Sequence, residues 1–190
     1  MHATRTHILN TAPAIFATHG FAGASTRQIA AAADVNIAAI AYHFGGKQGL
    51  YEAVLDDVYE RILATPIPNL TSGTPADRVR TLVATVYGQA REERDGIRVL
   101  LRHVMSHGSL PSTVQDKWTP HTLAKVSEIF KQLELPDAGD YRLHMLSLNH
   151  LIARYAVSEE DDIKPFVEGD PQTEIAAHLG DLAVKLLNLH

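Results

Sequence analysis

The sequence predicts an all-α protein, and three observations carry that prediction. Apolar residues recur three and four apart along nearly the whole chain, and no stretch alternates apolar and polar residues as a half-buried strand would. Ser25 followed by Gln28 has the form of a capping box, and Asp34-Val35-Asn36 then divides the region into two short helices. Near the C-terminus, Tyr141, Met145, Leu148, Ile152 and Tyr155 repeat at 4-3-4-3 intervals, as do Ile175, Leu179, Leu182, Leu186 and Leu189. Such seams want a partner helix at a shallow angle.

Taken in order, a first helix from Thr4 to His19 places Ile8, Leu9, Ala12, Ile15 and Phe16 on one face. Pro13 is expected to kink it or to make its first turn irregular, and Gly20 ends it with Phe21 packing behind. Ser25 caps a second helix with a small apolar face of Ile29, Ala30 and Ala33. Asp34 and Asn36 tolerate left-handed backbone, and Asn36 caps a third helix that packs Ile40 and Phe44 back on the second. Outward lie Ile37, Ala38, Ala39, Ala41, Tyr42 and His43, followed by Gly45-Gly46 and Lys47. Two helices joined by so short a turn make the helix-turn-helix of DNA-binding proteins.

The stretch GFAGASTRQIAAAADVNIAAIAYHFGGKQGLYEAV resembles the N-terminal domain of the tetracycline-repressor (TetR) family of bacterial transcription regulators, and the likeness runs from about Arg5 to Val54. Two residues depart from the family pattern. Asp34 stands where glycine is usual, and Ala41 where tyrosine is common, with Tyr42 one position later. The resemblance implies an N-terminal three-helix helix-turn-helix DNA-binding domain over residues 1–48 and a C-terminal helical ligand-binding and dimerisation domain over 49–190. It further implies a repressor that binds a palindromic double-stranded operator as a homodimer and is released by a small-molecule effector, with no obligatory cofactor. The alternative is a helical small-molecule binder or enzyme whose helix-turn-helix serves protein contacts. Arg27, Tyr42, His43 and Lys47 form a basic, hydrogen-bonding rim that such a protein-contact surface would not need.

On DNA, Ser25, Thr26 and Arg27 are expected to grip phosphates through hydroxyls, guanidinium and backbone amides at a helix start. Tyr42, His43 and Lys47 would grip the other side of the groove. Ile37, Ala38, Ala39 and Ala41 would face the bases, offering methyl groups suited to thymine methyls, with Asn36 as the polar candidate.

A fourth helix, Gln48 to Leu63, places Leu50, Val54, Val58 and Ile62 inside and Glu52, Asp56, Asp57 and Glu60 outside. A Pro- and Gly-bearing loop follows, and Thr74-Pro75 caps a fifth helix along Val79, Leu82, Val83, Val86, Tyr87 and Ala90. Asp95-Gly96 reads as its break, and Ile97 to His107 as a sixth helix with Leu100, Leu101, Val104 and Met105. Thr119-Pro120 reads as the start of a helix to Leu133, Leu135-Pro136 and Gly139 as a break, and Asp170-Pro171 as the start of the last helix. Tyr87, His103, His107, Trp118 and His121 are polar groups among apolar residues, the composition of a small-molecule pocket. Met145, Leu148, Ile152, Tyr155, Ile175, Leu179, Leu182 and Leu186 are expected to form a four-helix bundle across a twofold axis, as similar proteins of the family do.

The net charge of −5 divides unevenly: residues 1–50 carry Arg5, Arg27 and Lys47 against Asp34, or +2, and the remainder −7. A phosphate footprint is a local surface, so the whole-chain charge does not argue against DNA. Glu159-Glu160-Asp161-Asp162 reads as a solvated loop. There is no cysteine, no apolar run long enough to span a membrane, and no apolar signal core in MHATRTH, so a cytoplasmic protein is expected. His103 and His107 have the spacing of two zinc ligands, yet no third ligand accompanies them in sequence and no metal is assigned. With no phosphate-binding glycine loop and no nucleophile elbow, catalysis is not expected.

Overall fold

In the computed structural model of the chain, which describes residues 2–135 and 141–189, the regular elements are helices throughout. They run α1 (His2–Gly23), α2 (Thr26–Ala32), α3 (Ile37–Phe44), α4 (Lys47–Ala64), α5 (Pro75–Glu92), α6 (Arg94–His107), α7 (Ser112–Gln132) and α8 (Arg142–Ala156), then the short α9 (Glu160–Ile163) with a 3-10 turn (Lys164–Phe166), and α10 (Pro171–Leu186). The break expected at Pro136 and Gly139 lies outside the described residues.

The chain divides into two compact units, one holding residues up to Arg61 with Asp95–Trp118, the other Ile62–Arg94 with residues from Thr119 on. In the first, α1, α2 and α3 pack on one another. Ile8 and Phe16 of α1, Ile29 of α2, Ile40 of α3, Leu50, Val54, Leu55 and Val58 of α4 and Val99 of α6 are among its fully buried side chains. Phe16, Phe21 and Tyr51 gather into an aromatic cluster, with Tyr51 5.0 Å from each phenylalanine ring. In the second unit α5, α8 and α10 pack on one another. Gly180 lets α10 approach α5 closely, since a Cβ there would stand 3.3 Å from the Arg80 Cα. Arg80 and Asp181 bridge the same pair of helices at 2.8 Å.

Local capping places the elements. Thr74 and Asp77 form a capping box at α5 with Pro75 in the first turn, and Asp170 caps α10 through the Thr173 amide. Elsewhere packing overrides the sequence signals. Pro13 does not interrupt α1: its ring is buried, and the span kinks at Gly20, non-helical at φ 69°, where the sequence placed the helix end. One missing N–H removes a single rung, and the buried Ile8, Leu9, Ala12 and Phe16 hold the helix through it. Pro120 likewise sits inside α7, which begins at Ser112 rather than Thr119 because Val114 and Trp118, four apart, are already buried ahead of it.

The break expected at Asp95-Gly96 comes at Glu93, between α5 and α6, so that Gly96 itself stands inside α6. It lies buried in the first turn of α6, where a Cβ would meet Val58 Cγ2 at 2.6 Å. The glycine is there for close helix approach. The inward face of α6 is Gly96, Ile97, Val99, Leu100 and His103, whereas the apolar Val104 and Met105 are 38% and 87% exposed. On α4, Asp56 is not a solvated carboxylate: it accepts the Trp118 indole N–H at 2.7 Å and the Lys117 ammonium at 2.8 Å. Asp57 is half-buried and paired with Arg61. The acidic run is a helical turn rather than a loop, with Glu159 bound to Arg94 at 2.7 Å and Glu160 3.7 Å from Arg91.

Candidate nucleic-acid interface

The helix-turn-helix is assembled by short-range hydrogen bonds. Ser25 Oγ accepts the Gln28 N–H at 3.2 Å and donates to Gln28 Oε1 at 2.8 Å, and the Ser25 N–H reaches that same oxygen at 2.9 Å. At the far end of α2, Asp34 takes the left-handed conformation, φ 48°, with its N–H on the Ala31 carbonyl and the Val35 N–H on the Ala30 carbonyl. A short polar side chain can hold this backbone, so aspartate serves where glycine is usual. Asn36 Oδ1 accepts the Ala38 N–H at 2.8 Å and starts α3. Gly45, φ 72°, ends α3 by donating to the Ala41 carbonyl.

Between those caps α3 buries Ile40 and turns a stripe of Ile37, Ala38, Ala41 and Tyr42 to solvent. Ile37 is 47% and Tyr42 70% exposed, large values for side chains that cost free energy in water. Ala39 and His43, expected outward, flank the stripe half-buried, and the Tyr42 ring meets His43 edge-on at 4.9 Å. Ser25, Arg27 and Asn36 are exposed and Thr26 is half-buried. Lys47 is partly engaged: its ammonium donates to the Ala22 carbonyl at 3.3 Å and lies 4.6 Å over the Phe21 ring. It thereby ties the end of α1 to the start of α4. Sequence reasoning treated Arg5 only as charge, yet its guanidinium lies 5.3 Å over the ring of Phe44, the last residue of α3. A lone cation in a first turn that has no acidic residue was the signal for it.

Residues 8–54 match the pattern described as "Bacterial regulatory proteins, tetR family". Over 154 residues, 79% of this chain and 72% of the relative, the sequence is 30% identical to "Probable HTH-type transcriptional regulator YttP" of Bacillus subtilis (strain 168). The chain belongs to the TetR family of DNA-binding transcription regulators. Over a shorter span, 55% of this chain and 50% of the relative, it is 29% identical to "HTH-type transcriptional repressor NicS" of Pseudomonas putida. The fold matches a TetR-family regulator from Marinobacter aquaeolei VT8 at TM-score 0.70 with 18% identity, covering 98% of this chain and 96% of that one.

Outside α2 and α3, this TetR protein places its other expected site residues unevenly. His103, His107 and Trp118 fall in the first unit, Tyr87 and His121 in the second. Tyr87, His103 and Trp118 are buried, whereas His107 and His121 are exposed. Tyr87 donates its hydroxyl to Gln172 at 2.7 Å and Trp118 its N–H to Asp56, so both polar tips are satisfied within the chain. His103 differs: it is 9% exposed and its Nδ1 is buried without a hydrogen-bond partner. Burial, and secondarily the like charge of His107, hold its pKa below the ordinary histidine value. His103 and His107 stack nearly parallel, centroids 4.3 Å apart and planes 15° from one another. Parallel rings do not aim their nitrogens at one point, and among the described residues no three metal-binding side chains gather. Nor, among those residues, is any helix long and apolar enough to cross a membrane.

The C-terminal seam residues divide by burial. Leu148, Ile152, Ile175 and Leu179 are buried within the second unit, where α5, α8 and α10 meet, so the 4-3-4-3 spacing there marks the chain's own core. Met145, Tyr155, Leu182 and Leu186 are only half-buried, and Leu143 and Leu146 stand exposed on α8.

Proposed function

We propose that this protein is a repressor that binds a palindromic operator as a homodimer and leaves it when a small-molecule effector binds. The observation that carries the reading is the doubly capped α2–α3 pair with its solvent-facing stripe of Ile37, Ala38, Ala41 and Tyr42. An α3 of eight residues fits a major groove, and methyl-bearing side chains along it favour thymine methyls, with Asn36 as the polar reader. Ser25, Thr26 and Arg27 contact phosphates on one side of the groove; Tyr42, His43 and the remaining ammonium donors of Lys47 contact them on the other. Residues 1–48 bind DNA, and 49–190 bind effector and dimerise. Few phosphate contacts per module call for two modules on one site, half-sites one helical turn or a multiple apart. The repressor reading draws support from NicS, which is named a transcriptional repressor.

His103 carries the effector reading. A buried imidazole nitrogen without a partner costs free energy that a ligand donor or acceptor would recover. The His103 ring lies 5.7 Å from Tyr51 on α4, and Tyr51 packs on Phe16 and Phe21, so a ligand at His103 bears on the helices that hold α3. By linkage, effector and operator weaken each other by the same factor, a coupling of about 1–3 kcal/mol. The decisive experiment selects duplexes from a random DNA pool and then titrates thermal-shift hits with and without the selected duplex. A consensus without dyad symmetry removes the palindrome; an effector whose affinity ignores the duplex removes the release mechanism.

A further inference from the structure

We propose that Arg5 is a DNA-contacting residue, its guanidinium held over the Phe44 ring so that its N–H groups meet a backbone phosphate beside the C-terminal end of α3. The inference rests on the DNA-binding reading of α2 and α3. The guanidinium carbon lies 5.3 Å from the Phe44 ring centroid, and Arg5 itself is exposed. Stacking engages the π-face of a guanidinium and leaves its in-plane N–H fork available, the geometry that grips a phosphate through two oxygens. The position is otherwise a poor one for a cation. Arg5 sits near the N-terminus of α1, where the helix dipole disfavours positive charge, and no acidic residue in that turn offsets it.

Five arginines beyond residue 60 are matched to carboxylates: Arg61 to Asp57, Arg78 to Glu134, Arg80 to Asp181, Arg91 to Glu160 and Arg94 to Glu159. Arg5 makes no such pair among the described residues. The ring chain continues from Phe44 to His43 at 6.2 Å and to Tyr42 at 4.9 Å, so Arg5 closes a row of hydrogen-bonding side chains along the end of α3. Because Lys47 is partly occupied by Ala22 and Phe21, Arg5 is the cation better placed to serve that side of the groove.

The test uses the full chain and a fluorescent duplex selected by the wild type from a random pool, with a scrambled duplex beside it. Affinities are read by anisotropy across salt for the wild type, Arg5→Gln, Arg5→Lys and, as a reference, Arg27→Gln. Arg5→Gln should weaken both duplexes about equally, on the order of tenfold at low salt, and flatten the log–log salt slope by about 0.9 for each bound subunit. Arg5→Lys should keep the slope while losing several-fold in affinity, because an ammonium cannot stack and fork at once. Arg5→Gln with the wild-type slope overturns the contact, whatever its affinity or melting temperature. If Arg5→Gln fails to fold, an Arg5→Lys protein indistinguishable from wild type overturns the forked geometry. A wild type that selects no duplex overturns the DNA-binding reading itself.

Discussion

Replacing Ser25 separates folding from binding, because alanine and aspartate move the two in different directions. The Ser25 hydroxyl makes two of the three hydrogen bonds in the capping box, accepting from the Gln28 amide and donating to its side-chain oxygen. The helix it starts is only seven residues long, and so short a helix does not persist on propensity alone. Ser25→Ala should therefore cost about 1 kcal/mol, a fall of about 2–4 °C in melting temperature for a chain of this size. Ser25→Asp should not. Aspartate caps as well as serine does, the Gln28 amide can turn its NH2 toward the carboxylate, and negative charge at a helix N-terminus adds about 0.3–1 kcal/mol. The aspartate would, however, face a phosphate. The neutral hydroxyl neutralises no phosphate, so its loss alone leaves the salt slope unchanged; the added carboxylate repels the phosphate and deepens the loss to roughly tenfold or more, about 1.4 kcal/mol. Circular dichroism melts and anisotropy on the selected duplex read the two effects on the same samples. An aspartate variant that kept both its melting temperature and its affinity would remove Ser25 from the phosphate contacts. An alanine variant melting with the wild type would refute the capping argument.

Four further outcomes are expected. Lys47→Ala should weaken binding to all duplexes alike and lower the salt slope by about one, and because it also frees Phe21 and the Ala22 carbonyl it should lower the melting temperature too; a changed sequence preference with an intact slope would contradict the assignment. Gly96→Ala should destabilise by about 1–2 kcal/mol, overpacking against the fully buried Val58 outweighing the helix-propensity gain, and Val58→Ala in the same chain should relieve it, as chemical denaturation would measure. His103 is held below its ordinary pKa, so the unfolded chain takes up its proton first: stability should fall as pH drops through about 6.5 and level off below the folded-state value. His103→Gln should flatten that part of the melting-temperature profile. Charged residues at the half-buried Leu182 and Leu186 should yield monomers in sedimentation at micromolar concentration, or an unfolded chain if the dimer is obligate, whereas a monomeric wild type would end the dimer proposal.

Elements whose ends are written in chemistry spanning three or four residues were legible in the sequence. Ser25 with Gln28, Thr74 with Pro75, Asn36, and Asp170 with Pro171 start helices where the structure has them, because the capping atoms and the amides they satisfy are close along the chain. Pro13, Gly96 and Pro120 misled for the opposite reason. Their local effect is to weaken a helix, and what reverses it is packing against distant residues such as Val58, which no local rule contains. The candidate interface divides along the same line. The α3 stripe follows from helical periodicity, but the engagement of Lys47 with Ala22 and of Arg5 with Phe44 exists only once α1 and α3 have packed. The period of the C-terminal seams follows from the sequence, but a 4-3-4-3 spacing does not say whether the facing helix belongs to the same chain or to a partner.

The charge distribution reconciles an acidic protein with DNA binding. Surface ion pairs contribute little to stability, so the pairing of Arg61, Arg80, Arg91 and Arg94 with carboxylates matters mainly for the field it cancels. Arg5 and Arg27 sit in the part of the chain whose sole carboxylate up to residue 50 is Asp34, and neither is ion-paired among the described residues. Positive potential is thus left uncancelled beside α2 and α3 while the remainder of the chain is net negative. An acidic body raises the cost of any pose that brings it near the phosphates, whereas the pose that presents α3 carries the attraction. The net charge of −5 would then act on orientation, and neutralising body carboxylates that lie far from the helix-turn-helix should raise non-specific DNA binding more than specific binding.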